Sequence, residues 1–136
     1  MSRDDQLEHF AREVVDCGFQ LHRDIGPRLL ESVYEVLLFR LLEGRGLRIA
    51  RQVPIAISYQ GVVIDNAFKA DLLVEDRLLI ELKSTEKHEP VHAKQVTTYL
   101  RLMKLPLGLL INFGMPTFKE GIRRIANDYH SGWTHE

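Results

Sequence analysis

The sequence predicts a single α/β domain of the α+β kind, with a mixed sheet and helices before, between and after its strands. Three observations lead to that class. Apolar residues recur at helical spacing through residues 5–43. Period-two alternation takes over at residue 53 and returns as far as residue 84. A helical stretch then separates these strands from a short apolar run at 107–113. At 136 residues the chain has the length of one domain with a proper core, so residues 1–136 are read as one unit.

Residues 5–22 place Leu7, Phe10, Val14, Val15 and Phe19 along a first helix. A second helix is expected over about residues 29–43, burying Leu30, Val33, Leu37, Leu41 and Leu42 and ended by Gly44 and Gly46. Val53, Ile55 and Ile57 then share one face of a strand. Gln60 and Gly61 form a turn, and the chain returns through residues 62–65 and 68–74. A third strand covers residues 78–84, followed by a helix that starts at Pro90 and runs to about Met103. Residues 107–113 suit a buried strand, and 117–129 a last, basic helix with Ile122, Ile125 and Ala126 inward. The segment between Ser84 and Leu107 is long enough for a crossover, so the last strand is expected to lie parallel in the sheet.

Several function classes drop out. No apolar run approaches the roughly 18 residues of a membrane span. The polar, acidic opening residues do not read as a signal peptide, and a cytoplasmic location is the default expectation. A lone cysteine, Cys17, excludes an intramolecular disulfide and a cysteine-based zinc site, and reads as a small helix-packing residue. The net charge of −1 argues against a general nucleic-acid coat. Its distribution is uneven, however. Residues 77–124 hold nine Lys/Arg against four Glu, whereas residues 1–76 hold nine against thirteen Asp/Glu. The basic half reads either as a surface facing phosphates or as a solvated helix face.

The most informative stretch is residues 71–83, DLLVEDRLLIELK. Two apolar strands flank a tight polar turn, yet Asp71, Glu81 and Lys83 stand inside the strands. Buried charge is costly unless paired or bound to metal. Side-chain alternation puts Glu81 and Lys83 on one face, opposite Leu78, Ile80 and Leu82. A three-residue loop at 75–77 would pair Val74 with Leu78 and set Asp71 across from Glu81; a two-residue loop would set it across from Leu82. Facing carboxylates repel, and a hard cation such as Mg²⁺ relieves that repulsion. The bland alternative is an ion pair of Lys83 with Glu81 or Asp71 at a sheet edge. E-x-K alone arises by chance in roughly half of chains this long, so the preceding Asp71 supplies much of the specificity.

With this order of elements, the combination resembles the PD-(D/E)XK nuclease superfamily, whose restriction-endonuclease-like core is a helix, three antiparallel strands, a helix and a further strand. Asp71 matches the acid of the second core strand, and Glu81 with Lys83 matches E-x-K. Glu31 stands where many members carry a helix glutamate, and Gln95 with Tyr99 matches the Q-x-x-x-Y of a subset. Within the superfamily the chain is similar to the small prokaryotic GxxExxY proteins over residues 25–126. It departs from that motif in carrying Arg28 where the glycine would stand, ahead of Glu31 and Tyr34.

The resemblance implies a Mg²⁺-dependent nuclease acting on DNA, with Mn²⁺ as a substitute. Asp71 and Glu81 would bind the metal, with the Leu82 backbone carbonyl as a third ligand and Glu31 completing the shell. Lys83 would position the attacking water. Gln95 and Tyr99 either line the path of a nucleic-acid strand or support the ligands from behind, and Tyr34 is a further packing or binding residue. Lys87, Lys94, Arg123 and Arg124 are candidate phosphate contacts. His92 shares the Gln95 face, while His130 and His135 show no ligand spacing. The competing function is a non-catalytic nucleic-acid-binding or assembly module that keeps the nuclease fold, as a monomer or a homodimer. The expected partner is nucleic acid, DNA in the first reading, and not a membrane.

Overall fold

Ser2 and Asp5 start the first helix by exchanging side-chain and backbone bonds, the reciprocal cap that satisfies two otherwise orphaned N–H groups. From there the computed structural model describes residues 2–127. The elements are α1 (Arg3–Ile25), α2 (Glu31–Gly44), β1 (Ile49–Tyr59), β2 (Val62–Val74), β3 (Leu78–Lys83), α3 (Pro90–Met103), β4 (Leu107–Asn112), α4 (Phe118–Gly121) and β5 (Ile122–Ala126). Among the described residues no helix is long and apolar enough to cross a membrane. His130, His135 and the end of the expected last helix lie outside the described residues.

The strands form one sheet in the order β1-β2-β3-β4-β5. Neighbours are antiparallel except β3 and β4, which the α3 crossover makes parallel, as its length predicts. Helices α1 and α2 cover one face, burying Leu72, Val74, Leu78, Ile80 and Leu82. Helix α3 covers the other with Val96, Tyr99 and Leu100 against Leu73, Leu79 and Leu110. Each such aliphatic side chain contributes about 1.5–3 kcal/mol when withdrawn from water. β3 therefore lies at the centre of the sheet, which removes the sheet-edge ion pair as an explanation of its charges.

The turn between β2 and β3 is the three-residue loop that the site requires. Leu78 pairs with Val74, and Glu75 and Asp76 have φ of 51° and 57°. Two successive left-handed residues are what a type I′ turn demands, and neither is a glycine. The cost is offset from outside: Glu75 N–H donates to the Arg48 carbonyl, and its carboxylate accepts from Arg48 N–H at 2.6 Å.

The β1–β2 hairpin turns over partway along. On β2, Phe68 and Ala70 belong to the α3 face but Leu72 and Val74 to the opposite one. On β1, Ile49 lies on the α2 face while Val53 and Ile55 lie on the α3 face. Even spacing should keep these on one side, so both strands rotate between them. The rotation falls at Gln52, with φ 49°, and at Asp71, which the register sets opposite it.

Two expectations require correction. α2 does not bury Leu30, Val33 and Leu37; it buries Tyr34, Glu35, Leu38 and Leu42, leaving Leu30 73% exposed. The helix is apolar almost all round, so either face would bury similar area and the polar ties decide. The Tyr34 hydroxyl donates to the Gly26 carbonyl at 2.6 Å and accepts from Leu29 N–H at 3.1 Å, with its ring stacked 4.2 Å from that of Phe113. Those bonds and the stack are each worth about 1 kcal/mol, enough to fix the rotation.

The second correction concerns the C-terminal helix, which is one turn, α4, followed by strand β5. β4 is buried along its whole length and would otherwise present an unpaired backbone edge, each lost bond costing about 1–3 kcal/mol. Residues 122–126 pair with that edge. Ile122 and Ile125, spaced as on a helix, instead face opposite sides of the sheet and join the two cores.

Arg28, between α1 and α2, has φ 70°, and its N–H donates to the Phe113 carbonyl. A non-glycine residue in that region costs about 1–2 kcal/mol. Arg28→Gly is therefore expected to raise stability by about 0.5–1 kcal/mol after the added unfolded-state entropy. Urea denaturation checks this, and a lower midpoint in the variant would show that Arg28 holds the turn by contacts that outweigh its backbone strain.

Candidate active site

The β2–β3 register sets Leu72 across from Ile80, so Asp71 falls across from Glu81. At that position the ordinary ladder stops and side chains take its place. Asp71 N–H donates to Glu81 Oε2 at 2.7 Å, and Leu82 N–H donates to Asp71 Oδ2 at 2.8 Å. Each carboxyl group is thus held by a backbone donor of the opposite strand, in place of a ladder bond. Asp71 Oδ1 has one longer contact, to Gln52 Nε2 at 3.4 Å. Among the described residues Glu81 Oε1 accepts no hydrogen bond, although Glu81 is only 3% exposed.

Burial dominates the electrostatics. It raises the Asp71 carboxyl, with Leu82 N–H working against it and the charges of Glu35 and Glu31 adding to it. Glu81 is pushed from an ordinary 4.5 up to about 8, by burial first and by the Asp71 charge second. Lys83 lies one alternation beyond Glu81 and lowers the Glu81 value, yet it forms no ion pair within the described residues. The site has a buried acid, a half-buried one and a nearby ammonium that pairs with neither.

The surrounding elements bring further groups towards this centre. The first turn of α2 docks at the ends of β3 and β4: Ser84 Oγ donates to the Leu29 carbonyl, and Tyr34 secures Gly26 and Leu29. Glu31, exposed on that turn, is close enough for its charge to raise both Asp71 and Glu81. On α3, Gln95 Nε2 donates to the Tyr99 hydroxyl at 3.0 Å. Tyr99 is 5% exposed, tilted against Phe68, and raised by burial and then by the Glu81 charge. Its hydroxyl end, not an open ring face, is turned to the acids. His92 is lowered by burial and by Lys83, with Glu31 opposing. Tyr34 is wholly buried and serves the turn before α2.

The basic candidates separate. Arg124 is paired with Glu8 of α1, on the face opposite α3. Arg123 donates to the Glu120 and Ile122 carbonyls. Both stand on β5, three strands from the β2 strand that carries Asp71. Lys87 stands in the β3–α3 loop and Lys94 on α3. That loop is held by Asn112, whose Oδ1 accepts from Thr85 and Gly114 N–H at 2.9 Å each. A groove of about 720 Å³ between α1 and α4–β5 contains none of these acids.

Two residues not singled out by the sequence belong here. Glu35 is buried one turn beyond Glu31, and Gln52 bridges it to Asp71. Gln52 lies within the span of the family resemblance, but its place opposite Asp71 emerges only from the β1–β2 register.

No group of three His, Cys, Asp or Glu among the described residues is arranged to enclose a metal by itself. The donor set nevertheless fits a hard cation of the Mg²⁺ kind, which takes one or two carboxylates and completes its shell with water and substrate oxygens. The unpartnered, buried Glu81 Oε1 is the position such a cation would satisfy.

The sequence matches the PD-(D/E)XK nuclease superfamily over residues 8–125. The crystal structure of SSO0001 is similar in fold, with a TM-score of 0.52 at 20% identity over 71% of this chain and 49% of that one. The chain thus spans about half the length of that structure, and at such identity the likeness concerns the fold alone. No curated protein matches the chain.

The Glu81 shift has a stability consequence. From pH 4.5 to about 8 the unfolded chain has released this proton while the folded chain keeps it, so stability of the metal-free protein falls as pH rises through that window. Glu81→Gln, which keeps an acceptor for Asp71 N–H, is expected to melt higher than wild type at pH 8, with the difference shrinking towards pH 5. Thermal melts in chelator measure it; a variant less stable at pH 8 would mean that Glu81 is ionised and well stabilised.

Proposed function

The chain belongs to the PD-(D/E)XK nuclease superfamily, and from that membership we propose that it hydrolyses phosphodiester bonds in DNA with a divalent cation, Mg²⁺ or its substitute Mn²⁺. The observation that carries the reading is the interlocked Asp71–Glu81 pair on the central strands, with Lys83, in no ion pair among the described residues, on the same strand face as Glu81. A fold kept only for binding or assembly has no use for a buried Glu81 whose proton affinity is raised further by the charge of Asp71 beside it. Such a pair is a standing cost unless a cation relieves it.

Asp71 and Glu81 would hold the cation, with the Leu82 carbonyl as a further ligand and Glu31 at the open side of the site. When bound, the cation supplies charge stabilisation to the phosphoryl oxygens. The chain's own groups do the rest. Lys83 holds the attacking water by its ammonium and places positive charge beside the developing phosphorane. Backbone donors from Asp71 and Leu82 keep both carboxylates from swinging as charge changes. The burial of Tyr99 and its bond to Gln95 favour a role for this pair behind the ligands over base stacking. Lys87 and Lys94 are the better phosphate contacts, because Arg124 is engaged by Glu8.

We assign the chain to the GxxExxY group within the superfamily, on Glu31 and Tyr34. The left-handed backbone at Arg28 supports this, since glycine is the residue that conformation favours. The apolar face that α2 leaves uncovered supports a homodimer, and equilibrium sedimentation that finds only monomer removes that part of the reading.

Purified protein with Mg²⁺ or Mn²⁺ is expected to cut linear, circular or single-stranded DNA, with RNA tested beside it. Lys83→Ala should lower the rate at least 10²-fold, and Asp71→Asn should abolish both cleavage and Mn²⁺ binding in calorimetry. Cleavage undiminished in Lys83→Ala would point to a contaminant. Absent metal binding in a folded protein would instead favour the non-catalytic module.

A further inference from the structure

Glu35 has no part in the chemistry above, yet it is a buried carboxylate on the core-facing side of α2, between Tyr34 and Leu38. A buried ion pair is a poor stabiliser: an apolar side chain of similar volume often does as well or better. Its bonds suggest another use. Oε2 accepts from Arg51 Nε at 3.1 Å, and Oε1 accepts from Gln52 Nε2 at 2.6 Å. Gln52 reaches Glu35 because its left-handed backbone, φ 49°, turns β1 over at this residue. That conformation costs about 1–2 kcal/mol in a residue other than glycine.

Paired with the Arg51 guanidinium, the Glu35 carboxyl group presents an acceptor to Gln52, so it dictates which end of the Gln52 amide faces inward. The NH₂ group must point to Glu35, and the same Nε2 then lies 3.4 Å from Asp71 Oδ1. Leu82 N–H already holds Oδ2. We infer that Glu35 and Gln52 form a positioning relay from α2 to the sheet, fixing the plane of the Asp71 carboxylate from the side that Leu82 does not hold. Neither is a ligand; both act through Asp71. The relay rests on the metal-site reading for its purpose, though not for its existence.

Two measurements separate those claims. In metal-free protein the Gln52 side-chain amide protons are expected to resonate downfield and exchange slowly, and both Glu35→Gln and Asp71→Asn should move them. In Mn²⁺ calorimetry, Gln52→Met, isosteric but without a donor, should weaken binding about 10–100-fold at an unchanged thermal midpoint. Glu35→Gln should weaken it similarly, and the double variant no more than either single one, because the two act in series. Unchanged Mn²⁺ affinity in Gln52→Met, an affinity loss that only tracks a fallen midpoint, or amide signals indifferent to both substitutions overturns the relay. If the wild-type protein binds no Mn²⁺, the metal reading fails by itself and the amide signals alone decide the relay.

Discussion

The exchange of backbone donors for carboxylates between Asp71 and the Glu81–Leu82 peptide is the constraint on which this structure turns. A continuous ladder would have satisfied the central strands at no electrostatic cost. Here the β2–β3 pairing runs for three residue pairs, Val74–Leu78 to Leu72–Ile80, and then gives way to side-chain bonds. Two acids are thereby fixed within reach of each other inside the sheet. Everything that would neutralise them is held slightly away: Lys83 pairs with neither, and Arg51, the nearest guanidinium on β1, is taken by Glu35. The outcome is a rigid site whose buried glutamic acid holds its proton well above the ordinary carboxyl range, the combination expected where a cation supplies what the protein withholds.

Rigidity comes from the loops at the ends of β3 and β4. Tyr34 stacks on Phe113 and secures the turn before α2, Ser84 reaches the Leu29 carbonyl, and Asn112 ties Thr85 to Gly114. A Cβ at Gly114 would come within 2.1 Å of the Thr85 carbonyl oxygen, so the two loops are in direct contact. These ties set the rotation of α2 against its own hydrophobicity. Leu30, Val33 and Leu37 stay outside, while Tyr34 and Glu35 go in. A few directional bonds of about 1 kcal/mol each outweigh an apolar term that is nearly the same for every rotation.

The order of elements was legible as far as β4, because hydrophobic spacing and the Gly and Pro residues that punctuate it are local properties. The three-residue loop was legible as a condition: Asp71 can share the Glu81 face only if Val74 pairs with Leu78. What local pattern could not supply was the environment. Ile122 and Ile125 have helical spacing, yet the bare edge of β4 draws them into a strand. Gln52 stands just before the alternating run that begins at Val53. Its part emerges only where β1 and β2 turn over together and swing it towards Glu35.

By itself the sequence determined the class of fold, the acidic and basic residues of the hairpin and the family to which they belong. These depend on residue type and on spacing within a few positions. The tertiary structure decided which face of α2 is buried, that residues 122–126 form a strand, and that Glu35 and Gln52 stand behind Asp71. Each of those outcomes depends on contacts between segments distant in sequence: α2 with the β4 loop, β5 with β4, and α2 with β1. The energy differences involved are small, and they are set by partners that a local pattern does not contain.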